Sequence, residues 1–126
     1  MFDVYITKVA KFLPNNAISN DEMEDYLGLI NETASKARRL ILRNNKIVSR
    51  YYAIDKTGKS THSNAELTKN AIQGLFDDKF GAMDMELLSC GTTTPDLLVP
   101  SHATMVHGLL KNKSVELNSS SGVCCA

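Results

Sequence analysis

The sequence has 126 residues, 14 basic and 14 acidic, so its formal net charge is zero, and 43% of it is hydrophobic. That length suits one domain with a real core, while the balanced charge, with no basic run longer than Lys36 to Arg39, excludes a nucleic-acid or membrane-surface binder. No stretch approaches the roughly 20 apolar residues of a membrane span, and three cysteines without a secretory leader argue for a reducing cytoplasm rather than a disulfide framework.

Val4, Ile6 and Ala10 alternate with Asp3, Tyr5 and Lys8 as far as Pro14, which predicts a first strand closed by the turn Pro14-Asn15-Asn16. Ser19 followed by Glu22 is a capping box, and Met23, Tyr26 and Leu27 then recur at helical spacing until Gly28. Ala34, Ala37, Leu40 and Ile41 predict a second helix from Asn31 to Leu42. A basic and aromatic connector, RNNKIVSRYYAIDKTGKSTHS, follows. Ser63 and Glu66 form another capping box, and Leu67, Ala71, Ile72, Leu75 and Phe76 give the third helix its apolar stripe.

Met85 to Leu88 reads as a short strand, followed by the polar turn Gly91-Thr92-Thr93-Thr94-Pro95-Asp96. Pro100 suits the first turn of a fourth helix, because its missing N–H would be unpaired there in any case. Ala103, Val106, His107 and Leu110 line one side of that helix, and Val115-Glu116-Leu117 starts a last strand that runs into SSSGVCCA. Strand and helix alternate, so an α/β layer with parallel pairing is the expected class, in one unit over residues 1–126.

Four features bear on chemistry. The stretch Ala53 to Ser60 falls one residue short of a phosphate loop, since Ala53 stands where the first glycine belongs, so Thr57-Gly58 is read as a surface turn. His62, His102 and His107 lack the spacing that brings two ligands to one metal ion, and His107 is expected to be a core or interface histidine with a hydrogen-bond partner. Cys90, at the end of an apolar strand, reads as a buried small hydrophobe. Cys124 and Cys125 are too near the end for prenylation, which needs cysteine where Val123 stands. A strand, a glycine-containing bend and a cysteine can lift a nucleophile out of a sheet and onto the start of a helix, where thiolate is favoured over thiol. A structural cysteine at a strand end reads equally well from these residues alone.

Taken in order, the segments resemble the amino-terminal part of β-ketoacyl-acyl carrier protein synthase III, a condensing enzyme of the thiolase superfamily. Phe12-Leu13-Pro14 and Asn20-Asp21-Glu22 are similar to the family's "YLP" turn and "N-x-D/E-L" helix start. Ile47 to Tyr51 is similar to its "G-I-x-x-R" segment. Thr92-Thr93-Thr94-Pro95-Asp96, with Val99-Pro100-Ser101, matches "T-[ST]-x-P-D … P-S" and is the most specific of these. Val115 to Cys125 falls where the family has its strand and nucleophilic cysteine.

The resemblance implies a thiolase-like fold, of which this chain supplies most of the first half as a layered helix and sheet unit. It also implies decarboxylative Claisen condensation of an acyl thioester with malonyl-acyl carrier protein through an acyl-cysteine. The partners implied are acyl carrier protein, acyl thioesters of that carrier or of coenzyme A, the remainder of the polypeptide and a second copy in a homodimer; no cofactor or metal is implied. Cys124 is the favoured nucleophile by the pattern "V-C-x-x-G", and Cys125 is the alternative by "A-C-A-G". Arg43 and Arg50 are candidates for a phosphopantetheine donor or its carrier, and Val99 stands where a phenylalanine often faces the acyl pocket. Lys46 replaces the usual glycine and no tryptophan is present, which leaves room for a different or larger acyl group. The family's histidine and asparagine lie beyond the cysteine, so the chain is expected to be a fragment, inactive alone. A non-catalytic α/β interaction module with structural cysteines is the alternative from a different class.

Overall fold

A computed structural model describes residues 3–124. The chain divides into two compact units, Met1–Phe12 with Ser63–Ala126, and Leu13–His62, where the length alone led us to expect one.

In Leu13–His62, β1 (Ile18–Ser19) pairs antiparallel with β2 (Ser49–Arg50), Ile18 opposite Arg50. The reciprocal bonds of the expected box form, but around a turn ahead of the helix rather than as its cap: the Ser19 N–H donates to Glu22 Oε2 at 3.1 Å, and the Glu22 N–H donates to Ser19 Oγ at 3.4 Å, while the cap position of the helix is Glu22. The turn leads into α1 (Met23–Leu27), which stops at Gly28 with φ 77°, a backbone hand that glycine adopts without strain. The second helix, α2 (Arg38–Asn45), starts seven residues later than the expected Asn31. Asn31 and Glu32 both have positive φ, 51° and 57°, and the Thr33 N–H closes onto Ile30 O at 3.1 Å. Two consecutive left-handed residues make a tight hairpin turn that no right-handed helix can contain, and the apolar spacing of Ala34 and Ala37 could not reveal it.

In the other unit, α3 (Asn64–Gln73) opens on the full capping box between Ser63 and Glu66. A 3₁₀ turn (Ala82–Asp84) leads to β3 (Leu87–Thr92), then α4 (His102–Leu110), then β4 (Glu116–Ser121). The strands β3 and β4 pair in parallel, as the alternation of elements predicts, in a register from Leu87 opposite Glu116 to Thr92 opposite Ser121. Strand β3 begins two residues after the expected Met85 and runs on through Thr92, because hydrogen bonding to β4 continues into what reads as a polar turn.

Leu88 and Cys90 alternate inward along β3 and meet Ala65 of α3 and Ala103 and Val106 of α4; this is the core. Ile72, Met105, Leu110 and Val115 pack against it. Pro100 precedes the cap of α4 rather than filling its first turn: Ser101 is the cap, with extended backbone and its Oγ accepting the Thr104 N–H at 3.4 Å. The predicted first strand does not form among the described residues: Val4, Ile6 and Val9 are 94%, 88% and 87% exposed. Alternation marks a chain able to be a strand, but a strand exists only where another supplies its hydrogen bonds.

Candidate active site

Strand β4 delivers Cys124. Just past the last ladder pair, Thr92 with Ser121, the Gly122 N–H donates to Thr92 O at 3.3 Å and fixes where the strand ends. Two residues on, Cys124 is exposed, free of any disulfide, and has φ 63°. Left-handed backbone is uncommon away from glycine and clusters where a side chain must be held at an unusual angle. The bend expected before the cysteine is therefore present, and it presents the thiol to solvent. Cys125 lies outside the described residues.

The Thr92-Thr93-Thr94-Pro95-Asp96 motif is tied to the start of α3. Asp96 accepts the Asn64 N–H at 2.7 Å with one carboxylate oxygen and the Ala65 N–H at 2.8 Å with the other. These are the first two N–H groups of a helix, which have no partner within the helix and carry its positive end. Asn64 Nδ2 donates to Thr92 Oγ1 at 2.8 Å and to Thr94 O at 2.6 Å, so one amide holds the first and the middle residue of the motif. Sequence reading missed Asn64 altogether. Its partners are 28 and 30 residues away, and no local pattern distinguishes it from any polar residue behind a cap.

One step further along α3, Thr68 Oγ1 donates to Asn64 O at 3.0 Å. With its proton used there, the hydroxyl accepts from Nε2–H of the buried His102, also at 3.0 Å. His102 thus joins the two helix starts. His107 Nε2 meets Lys113 O at 3.0 Å, the hydrogen-bond partner expected for it.

The candidate substrate contacts fall in different places. Val99 is 85% exposed, in the loop between β3 and α4, within the unit that carries Cys124. Arg43 and Arg50 belong to the other unit. Arg43 is exposed on α2 and lines a groove of ≈ 430 Å³ with Arg38, Arg39 and Lys46, while Arg50 is half-buried and its Nη1 lies 3.0 Å from Met23 Sδ.

A second, largely apolar cavity of ≈ 640 Å³ opens beside β3, lined by Ile72, Leu75, Phe80, Met85, Leu87 and Cys90 among others. Cys90 is buried, as its position in an apolar strand predicts, and burial pushes its thiol pKa up, so it stays protonated and unreactive there.

The near-miss phosphate loop is closed on itself. One oxygen of Asp55 accepts the Thr57 N–H at 2.8 Å and the Lys59 N–H at 3.1 Å, so these donors are turned inward rather than toward a ligand. Among the described residues, no group of three His, Cys, Asp or Glu is placed to hold a metal ion, and no helix is long and apolar enough to cross a membrane.

No protein-family model matches the sequence. The β-ketoacyl-[acyl-carrier-protein] synthase III of Chlorobaculum tepidum is 32% identical over 114 residues, covering 86% of this chain and 30% of that protein. The Rickettsia akari protein of the same name is 27% identical over 113 residues, covering 90% of this chain and 32% of that protein. The chain is a relative of β-ketoacyl-[acyl-carrier-protein] synthase III. It spans about a third of the length of the curated synthases it matches. Among solved structures, a tetronic acid condensing enzyme superposes with a TM-score of 0.69 at 24% identity, covering 89% of this chain and 33% of that one. The 3-oxoacyl-[acyl-carrier-protein] synthase III of Aquifex aeolicus superposes with a TM-score of 0.67 at 22% identity, covering 92% and 34%. The fold is thus thiolase-like, a part of the condensing-enzyme architecture, as expected from the TTTPD loop and the strand that follows it.

Proposed function

We propose that the chain is the amino-terminal part of a synthase III-like condensing enzyme, and that Cys124 carries its acyl group. The observation that supports this reading most is Cys124 itself: exposed, left-handed, and three residues past the end of a parallel strand in a relative of these synthases. The Cys124 thiolate attacks the carbonyl carbon of an acyl thioester, a carbon–sulfur bond forms, and the bond to the departing thiolate breaks. That thiolate then takes up the proton Cys124 released. Malonyl-acyl carrier protein next loses carbon dioxide, and its carbanion attacks the acyl-cysteine to give the β-ketoacyl product and restore the thiolate. Sulfur serves both steps because it is a strong nucleophile near neutral pH and its ester remains activated.

The acyl donor in this reading is a thioester of carrier protein or coenzyme A, with Val99 toward the acyl chain and Arg43 and Arg50 toward phosphopantetheine or its carrier. The complete protein is read as a cytoplasmic homodimer in fatty-acid or polyketide synthesis. The 126 residues by themselves are read as inactive, because the histidine and asparagine that stabilise developing charge in the family have no counterpart here.

Labelling tests the assignment. A haloacetamide or cerulenin-like probe should modify Cys124 in the complete protein, and Cys124→Ala should abolish condensation. Modification of neither Cys124 nor Cys125 would leave the structural-cysteine interaction module standing in its place.

A further inference from the structure

We propose that Asn64 is a positioning residue for the nucleophile turn, acting on Cys124 through Thr92; this rests on the reading of Cys124 as the acyl-carrying thiol. Asn64 stands at the first position of α3, a helix fixed at both sides of its start by the Ser63 and Glu66 cap and by the Asp96 carboxylate. Its amide group is therefore held in place before it makes any contact of its own. One amide hydrogen goes to Thr92 Oγ1 and the other to Thr94 O, at 2.8 and 2.6 Å. The same Thr92 hydroxyl accepts the Thr94 N–H at 3.2 Å, so both lone pairs of that oxygen are occupied and the side chain has one orientation.

Thr92 closes β3, and its carbonyl accepts the Gly122 N–H, the last strand-to-strand hydrogen bond before the turn that carries Cys124 at φ 63°. A left-handed residue outside glycine persists only when its surroundings over-determine it. The end of a two-stranded sheet is the part most prone to fraying, and the Asn64 amide anchors that end from the helix side. Without it the Thr92 carbonyl is free to swing, the Gly122 bond weakens, and Cys124 relaxes to ordinary backbone with its sulfur moved away from where it attacks. A displacement of about 1 Å at a reacting group costs on the order of a hundredfold in rate.

The test is the rate of Cys124 alkylation by iodoacetamide across the neutral pH range, in the complete polypeptide, with the modified residue located by peptide mass spectrometry. Asn64→Ala and Thr92→Val should slow it by about ten- to a hundredfold, whereas Thr92→Ser, which keeps the hydroxyl, should restore the parent rate. Buried Cys90 is the internal control, remaining unlabelled wherever the fold is intact. Should Asn64→Ala expose Cys90, the Thr92→Val and Thr92→Ser pair decides the matter. An accelerated Cys124 in the parent that is unchanged in both Asn64→Ala and Thr92→Val overturns the positioning role alone. A parent Cys124 no faster than a free thiol overturns the nucleophile reading beneath it.

Discussion

Asp96 accepts the backbone N–H of Asn64 at 2.7 Å, joining the most specific sequence motif of the chain to the start of a helix 32 residues earlier. The second carboxylate oxygen takes the next N–H, from Ala65, so the carboxylate satisfies two donors that the helix cannot. Asp96→Ala should therefore lower stability by about 1 kcal/mol, as the loss of a helix cap does. Asp96→Asn, which keeps one acceptor oxygen and loses the charge beside the helix dipole, should fall between. Urea unfolding of the three proteins checks the order, and an Asp96→Ala midpoint equal to the parent's would contradict it.

Ala103 and Val106 lie on the face of α4 against Leu88 and Cys90, and neither has any solvent exposure. Val106→Ala removes two buried methyl groups and should cost about 2 kcal/mol in transfer and cavity terms. Ala103→Leu adds volume where none is free and should cost about 1–3 kcal/mol by overpacking. Thermal unfolding followed by circular dichroism reads both, and Gly108→Ala, inside the helix with open space around its added Cβ, should shift stability the other way, by about 0.5–1 kcal/mol.

The loop Asp55 to Lys59 makes a pH prediction. The Thr57 hydroxyl beside Asp55, with the Thr57 and Lys59 N–H groups, holds its carboxyl below the ordinary 3.8. A depressed acid stabilises the fold when ionised, so the contribution is complete above the unfolded value and is lost as pH falls through the folded one. Asp55→Asn should thus weaken the protein at neutral pH, with the gap to the parent narrowing as pH drops below 3.8. A gap that stays constant over that range counts against the loop geometry. The same geometry predicts that inorganic phosphate gives this loop no protection from hydrogen exchange.

The parts of the fold that were legible in the sequence are those written in local chemistry. Ser63 with Glu66 marked the start of α3, the alternation of elements gave the parallel pairing of β3 with β4, and the apolar strand buried Cys90. The start of α2 was illegible because it depends on two left-handed residues, Asn31 and Glu32, whose side chains do not demand that conformation. Residues 3–14 carry a strand pattern, yet pairing is a property of two chains segments and not of one. At the candidate site, Cys124 was visible through its strand and bend. Asn64 was invisible, because its role lies in bonds to Thr92 and Thr94 that only folding brings within reach.

The two described cysteines should behave as opposites. Burial keeps the Cys90 thiol protonated to higher pH than usual, whereas Cys124 is open to reagents. Under native conditions a small alkylating agent should modify Cys124 and spare Cys90 until denaturant is added, and equal labelling of both without denaturant would show that the core around Ala65, Leu88 and Val106 is not closed.

The most direct measurement of the central claim is the mass of the complete protein after brief exposure to an acyl thioester, with the modified peptide sequenced. Acyl transfer predicts a gain of one acyl group on Cys124, removed by hydroxylamine and absent in Cys124→Ala. An acyl group found on Cys125 alone, or on neither cysteine, would contradict it.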